Sequence, residues 1–199
     1  MKILTILFLF LSALLSVPDG VQTGGKIENF TLPNAISKQP VSLSDYASEK
    51  GVVLIFTSNY CPYSKLYEDR IIKLANQFEG QGVKFLLINS NTSVDNIDDT
   101  VEEMARHARE KGLKMPYLAD KEHTVRAKLG ATKTPEAFVL QNTGNGTFIL
   151  KYRGAIDDNP QVPDVVSAFY LKDAITAIIN KKNLSLMEKR PIGCMIKKD

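Results

Sequence analysis

The sequence has no tryptophan, and only two of its 199 residues are cysteine and two histidine. His107 and His123 stand apart from Cys61 and Cys194, so no zinc-ligand spacing is present and no metal site is expected. The net charge of +3 is too small to argue for nucleic acid or for an anionic membrane surface as partner. Internal repeats and low-complexity tracts are absent, which sets repeat architectures aside. The one long apolar run, at the N-terminus, is short for a membrane span, which needs about 20 residues. No cysteine follows that run closely, which argues against a lipoprotein anchor.

What remains is an ordinary globular composition, 44% hydrophobic and 24% charged, on a chain long enough for one domain with a sizeable core. Lys2 followed by the apolar stretch Ile3 to Leu15 reads as a secretory signal peptide over residues 1–20, cleaved somewhere between 16 and 25. The alternative is an uncleaved membrane anchor. Export makes the mature protein periplasmic or secreted, without a membrane span, in surroundings where disulfides form and persist. The folded domain is expected over residues 26–182, with a polar tail over 183–199 that carries Cys194. Asn-x-Ser/Thr triplets at Asn29, Asn91, Asn145 and Asn183 are read as chance.

Periodicity supplies the elements. Ile27 to Leu32 and Val41 to Leu43 read as short extended pieces. Val52 to Thr57 is a continuous apolar run, as a central strand of an α/β sheet requires. A helix is predicted from Pro62, with Ile71, Leu74, Ala75 and Phe78 at helical spacing and Gly80 or Gly82 as its stop. Val83 to Ile88 is the next strand. A second helix, capped by Ser93 or Asp95, carries Ile97, Val101, Met104, Ala105 and Ala108 on one face and stops at Gly112. A short helix capped by Asp120 runs through Val125 to Leu129. Glu136 to Gln141 and Thr147 to Tyr152 form a hairpin about Asn142-Thr143-Gly144-Asn145-Gly146. The last helix is predicted over Asp164 to Lys181, with Val166, Phe169, Tyr170, Ala174, Ala177 and Ile178 buried. The predicted class is α/β, a central mixed β-sheet with helices on both faces.

The chemistry points to Cys61. A buried strand ends in Ser58-Asn59-Tyr60, then the cysteine, then Pro62 opening a helix. Backbone N–H groups at a helix N-terminus favour the thiolate, the reactive form of the side chain. Position 64 is Ser64, so a local dithiol pair is absent.

Cys61-Pro62-Tyr63-Ser64 after a strand and before a helix, with Thr134-Pro135 leading a later strand and hairpin, resembles the thioredoxin-like fold. The extended N-terminus and the strand-helix insertion between Cys61 and Pro135 resemble the redoxin branch. That branch holds the alkyl hydroperoxide reductase and thiol-specific antioxidant (peroxiredoxin-like) proteins. The phrases around Cys61 and Gly193-Cys194-Met195-Ile196-Lys197 resemble a subgroup with a cysteine near its C-terminus. The resemblance implies that Cys61 is the nucleophile and that Thr134–Pro135 is cis and faces the thiol. It also implies that Ser58, Tyr60, Pro62, Tyr63, Ser64, Thr134 and Pro135 shape the site.

Departures are informative. Tyr60 replaces the tryptophan usual in thioredoxins. In the peroxiredoxin pattern Pro-x-x-x-Thr-x-x-Cys, Ser58 takes the threonine position and Leu54 the proline position. Lys133, Arg126 and Arg153 are candidates for the peroxiredoxin arginine. Cys194 is expected either to resolve Cys61, delivered by a flexible tail, or to be structural. Glu68, Asp69 and His107 are read as solvent-facing, His123 as lying beside a helix cap without a catalytic partner, and Asp157-Asp158 as a turn.

The expected function is an exported thiol-dependent oxidoreductase acting on a protein disulfide or a peroxide. An external thiol would be the reductant, and no metal or organic cofactor is implied. The alternative is a non-catalytic binding module with a structural Cys61–Cys194 disulfide.

Overall fold

A computed structural model describes residues 20–92 and 97–197. The segment read as a signal peptide lies outside the described residues, apart from its last position. Chain order is β1 (Lys26–Ile27), β2 (Thr31–Pro33), β3 (Pro40–Ser42), β4 (Gly51–Phe56), α1 (Pro62–Phe78), β5 (Val83–Asn89), α2 (Val101–Glu110), β6 (Tyr117–Ala119) and α3 (Thr124–Leu129). There follow β7 (Lys133–Thr134), β8 (Glu136–Asn142), β9 (Phe148–Gly154), α4 (Tyr170–Ile179), β10 (Glu188–Lys189) and β11 (Cys194–Met195).

The main sheet runs β1-β9-β8-β4-β5-β6, with β10 also pairing β9. Strands β4, β5 and β6 are parallel, β8 is antiparallel to β4, and β8 and β9 form the predicted hairpin. Every residue of β4 is buried because both faces of the sheet are covered. Val53, Ile55, Phe85, Leu87, Val139 and Tyr152 face α1, α2 and α4. Val52, Leu54, Phe56, Leu86, Ile88 and Phe138 face α3, the N-terminal segment and Ile196 of the tail. Side chains alternate faces along each strand, so one sheet serves two cores. This is the mixed α/β, thioredoxin-like architecture expected. Among the described residues no helix is long and apolar enough to cross a membrane.

Four expectations need correction. First, α2 starts at Val101, capped by Thr100, whose hydroxyl accepts from the Glu103 N–H at 3.3 Å. Ser93 and Asp95 lie outside the described residues. Residues 97–99 form a 3-10 turn instead, and Ile97 is exposed. Second, α4 begins at Tyr170 rather than Asp164. The carboxylate of Asp158 accepts from the Ser167 N–H and hydroxyl, and its N–H donates to Ala168, so residues 157–168 are tied up as a loop. The buried stripe is Leu171, Ala174, Ile175 and Ile178, while Phe169 is exposed. Third, Tyr117–Ala119 is a strand at the sheet edge that periodicity did not reveal; three residues are too few to show a period.

The fourth correction concerns the tail. The expected flexible segment is seated in two places. β10 pairs parallel to β9, with Glu188 opposite Arg153 and Lys189 opposite Gly154. β11 pairs antiparallel to β7, with Cys194 opposite Thr134 and Met195 opposite Lys133. Two glycines allow this closeness. A Cβ on Gly154 would fall on the Lys189 backbone, and one on Gly193 would lie 2.3 Å from the Thr134 carbonyl oxygen. Ile196 is buried in the α3-side core, and the Lys197 N–H donates to the Asn91 side chain at 2.9 Å.

Candidate active site

Cys61 occupies the N-cap of α1, with extended φ and ψ of −73° and 118°, and Pro62 is the first helical residue. Its N–H donates to the Ser58 carbonyl and its own carbonyl accepts from the Lys65 N–H. The sulfur is joined to Cys194 across 133 residues, with Cα atoms 6.0 Å apart. Cys61 is buried and its sulfur lies 3.0 Å from the Thr134 carbonyl oxygen. In the disulfide the sulfur carries no proton. On reduction a thiol there has this carbonyl as its acceptor. Thr134–Pro135 is cis, as the resemblance implies.

The turn before Cys61 is held from below. Asp99, fully buried, accepts from the Ser58 hydroxyl at 2.7 Å, the Asn59 N–H at 2.7 Å and the Asn89 side-chain amide at 2.8 Å. Asn59 in turn donates to the Asp98 carbonyl and accepts from the Tyr117 hydroxyl. Burial pushes the Tyr117 phenol well above its usual range, and the Asp99 charge adds to that. Ser64, one turn into α1, is buried and its hydroxyl accepts from the Ser58 N–H at 3.3 Å. The Ser58 hydroxyl is therefore committed to Asp99.

The cis-proline loop has its own anchor. Glu136 is buried, and one carboxylate oxygen accepts from the Thr132 N–H at 2.8 Å and the Lys133 N–H at 3.0 Å. Burial raises its pKa, against the opposing pull of those hydrogen bonds. The carboxylate thereby sets the backbone of β7, on which the tail lies.

Of the residues singled out in the sequence, Ser58, Cys61, Ser64, Thr134, Pro135 and Cys194 converge here. Tyr60 projects into solvent, Pro62 is exposed and Tyr63 is half-buried. Among the arginine candidates, Arg153 is engaged with Glu188 of the tail. Lys133 lies in register with Met195.

Two surface readings are overturned. Glu68 and His107 are mostly buried and paired with each other, and Lys111 joins Glu68 at 2.8 Å. Burial alone would raise the Glu68 carboxyl. The hydrogen bonds and charge of His107 and Lys111 outweigh it and hold the carboxyl below its ordinary value. Glu68 and His107 border a small cavity beside α1, also lined by Ser58, Asn59, Ser64 and Tyr117. Asp157 does sit at a turn, but buried, bonded to Arg70 at 2.6 Å and to the Tyr67 hydroxyl at 2.8 Å. Among the described residues no group of three or more His, Cys, Asp or Glu is placed to hold a metal.

Sequence reasoning missed Asp99 and Glu136. Glu136 left a signal, a lone acid opening an apolar strand directly after the proline. Asp99 left none, since Asp98-Asp99 reads as ordinary first-turn acid.

Residues 23–158 match the model of the AhpC/TSA family. No curated protein matches the chain. An uncharacterised conserved protein from Geobacillus kaustophilus is 30% identical, with a TM-score of 0.82 over 89% of this chain and 93% of its own. A hypothetical protein from Sinorhizobium meliloti 1021 is 28% identical, with a TM-score of 0.79 over 89% of this chain and 94% of its own. A putative thiol:disulfide interchange protein from Chlorobium tepidum is 17% identical, with a TM-score of 0.55 over 81% and 98%, and shares the fold alone.

Proposed function

Because the chain belongs to the AhpC/TSA family, we propose that it is a thiol-disulfide oxidoreductase in which Cys61 is the nucleophile and Cys194 the resolving thiol. The observation that carries this is the disulfide between a helix-capping cysteine and a cysteine on a seated tail strand. The helix N-terminus favours negative charge on the Cys61 sulfur, which thiol exchange needs. Asp99 and Glu136 are positioning residues, one for the turn before the thiol and one for the loop facing it. The reductant is an external dithiol, and the setting an oxidising compartment reached through the N-terminal targeting segment.

Disulfide exchange is favoured over peroxide reduction by the Ser58 hydroxyl, which is bonded to Asp99, and by Leu54 at the proline position of the peroxide-pocket pattern. The family match supports peroxide reduction as the second reading. A purely structural disulfide is the third. Turnover of a small disulfide and of hydrogen peroxide, each with a dithiol donor, separates the three. The expected result is disulfide turnover that Cys61→Ser abolishes while circular dichroism stays unchanged. Turnover retained in that variant overturns the assignment. Turnover in neither assay with the wild type favours the structural bond.

A further inference from the structure

The tail supplies more than a second sulfur. It lies on β7 as an extended strand, with Cys194 opposite Thr134, and the Ile196 N–H donating to the Thr132 carbonyl at 3.0 Å. Its residues meet very different conditions. At Gly193 a Cβ would lie 2.3 Å from the Thr134 oxygen and 3.1 Å from the Pro135 nitrogen. Both are backbone atoms, which cannot swing aside as the tip of a side chain can. Met195 is exposed, whereas Ile196 is only 2% exposed and packs in the α3-side core. Alternation of this kind is how an edge strand reads an extended segment.

We infer, on the reading of Cys61 as the reactive thiol, that this seat selects its substrate by side chain as well as by backbone pairing. The substrate class is an extended protein segment of pattern Gly-Cys-x-aliphatic whose cysteine is held in a disulfide. The tail is a built-in copy of that segment. With Cys61 and Cys194 reduced, the Cys61 thiolate attacks the seated substrate sulfur. A Cys61–substrate disulfide forms, the original S–S bond breaks, and its other sulfur leaves as a thiolate. The Cys194 thiolate then attacks the Cys61 sulfur, which re-forms the internal disulfide and releases the substrate cysteine as a thiolate. Two electrons pass from the cysteine pair to the substrate, and an external dithiol restores them. Tail and substrate need the same edge, so closure of the tail expels the product. Upstream, the Lys189 carbonyl accepts from the Ala155 N–H at 3.0 Å. That pairing roots the tail and keeps the Cys194 step intramolecular.

The test uses the full chain carrying Cys194→Ser, in which the first step accumulates. The probes are a peptide Ile-Gly-Cys-Met-Ile-Lys with its cysteine in mixed disulfide with 2-nitro-5-thiobenzoate, and two altered versions. One has valine for the glycine, the other aspartate for the second isoleucine. 5,5′-Dithiobis(2-nitrobenzoate) serves as the small disulfide. Release of the coloured thiol gives each rate, normalised to the reaction of that probe with free glutathione. The tail of the variant competes equally with all peptides, so their ratios report the seat. The parent peptide is expected to react at least about tenfold faster than either altered peptide: the aspartate version forfeits the burial of one aliphatic side chain, and the valine version sets a side chain against the Thr134 and Pro135 backbone. Equal normalised rates for the three peptides overturn the inference and leave the reactive Cys61 standing. Failure of every probe, the small disulfide included, overturns both.

Discussion

Ile196→Ala is the sharpest probe of how the tail and the disulfide depend on one another. Ile196 is the tail side chain buried in the core, next to the cysteine pair. Truncation removes three carbons of buried surface, worth about 2 kcal/mol at ~0.8 kcal/mol per carbon. The seat can empty when the tail lifts, so no lasting cavity term is added. That loss acts on the oxidised form, where the tail is held on β7. In the reduced form a tail that lifts does not feel it. The disulfide is therefore destabilised relative to the dithiol by up to about 2 kcal/mol, roughly thirtyfold in the exchange constant. For a two-electron couple this is about 40 mV toward less negative potential. Redox titration against glutathione, read by mass spectrometry of alkylated protein, measures it. If Ile196→Ala moves the potential by less than ~10 mV while the fold is retained, the tail is equally seated in both redox states. The coupling argued above is then wrong.

Two further outcomes follow from the buried charges. Asp157→Ala strands the Arg70 guanidinium, which also donates to the Asn159 carbonyl at 2.7 Å. A loss of about 3–5 kcal/mol, seen as a fall of roughly 10 °C in Tm, is expected by calorimetry; a loss under ~1 kcal/mol contradicts the buried pairing. Glu68 has a folded pKa held below its unfolded value, so its contribution is present above about pH 4.3 and is lost as pH falls through the lowered value. Glu68→Gln should then flatten that part of the acid limb of a stability–pH curve, and an unchanged limb rules the linkage out.

The central strands, α1 and the β8–β9 hairpin were legible because each is long enough to show a period and is bounded by turn residues. Cys61 was legible because strand, turn, cysteine and proline follow in sequence. The departures have local causes. Ile97 looked like part of an apolar helical face, but Asp99 is drawn to the Ser58 hydroxyl and the Asn59 N–H and holds the preceding turn out of α2. Phe169 looked buried, but the Asp158–Ser167 bonds delay α4 and leave it exposed. The tail read as polar because its anchors are spread thinly, with Gly193 and Ile196 contributing by fit to residues far off in sequence. Glu68 and His107 read as surface groups, since their partners lie on different helices.

The bond between Cys61 and Cys194 also closes a loop of 133 residues, from the start of α1 to β11. Tying the unfolded chain over that length removes entropy worth about 5 kcal/mol in the chain-entropy account. Reduction of that bond therefore also releases the unfolded ensemble. The dithiol form is the more perishable one, and its lifetime against heat and proteases should track the thiol supply around it.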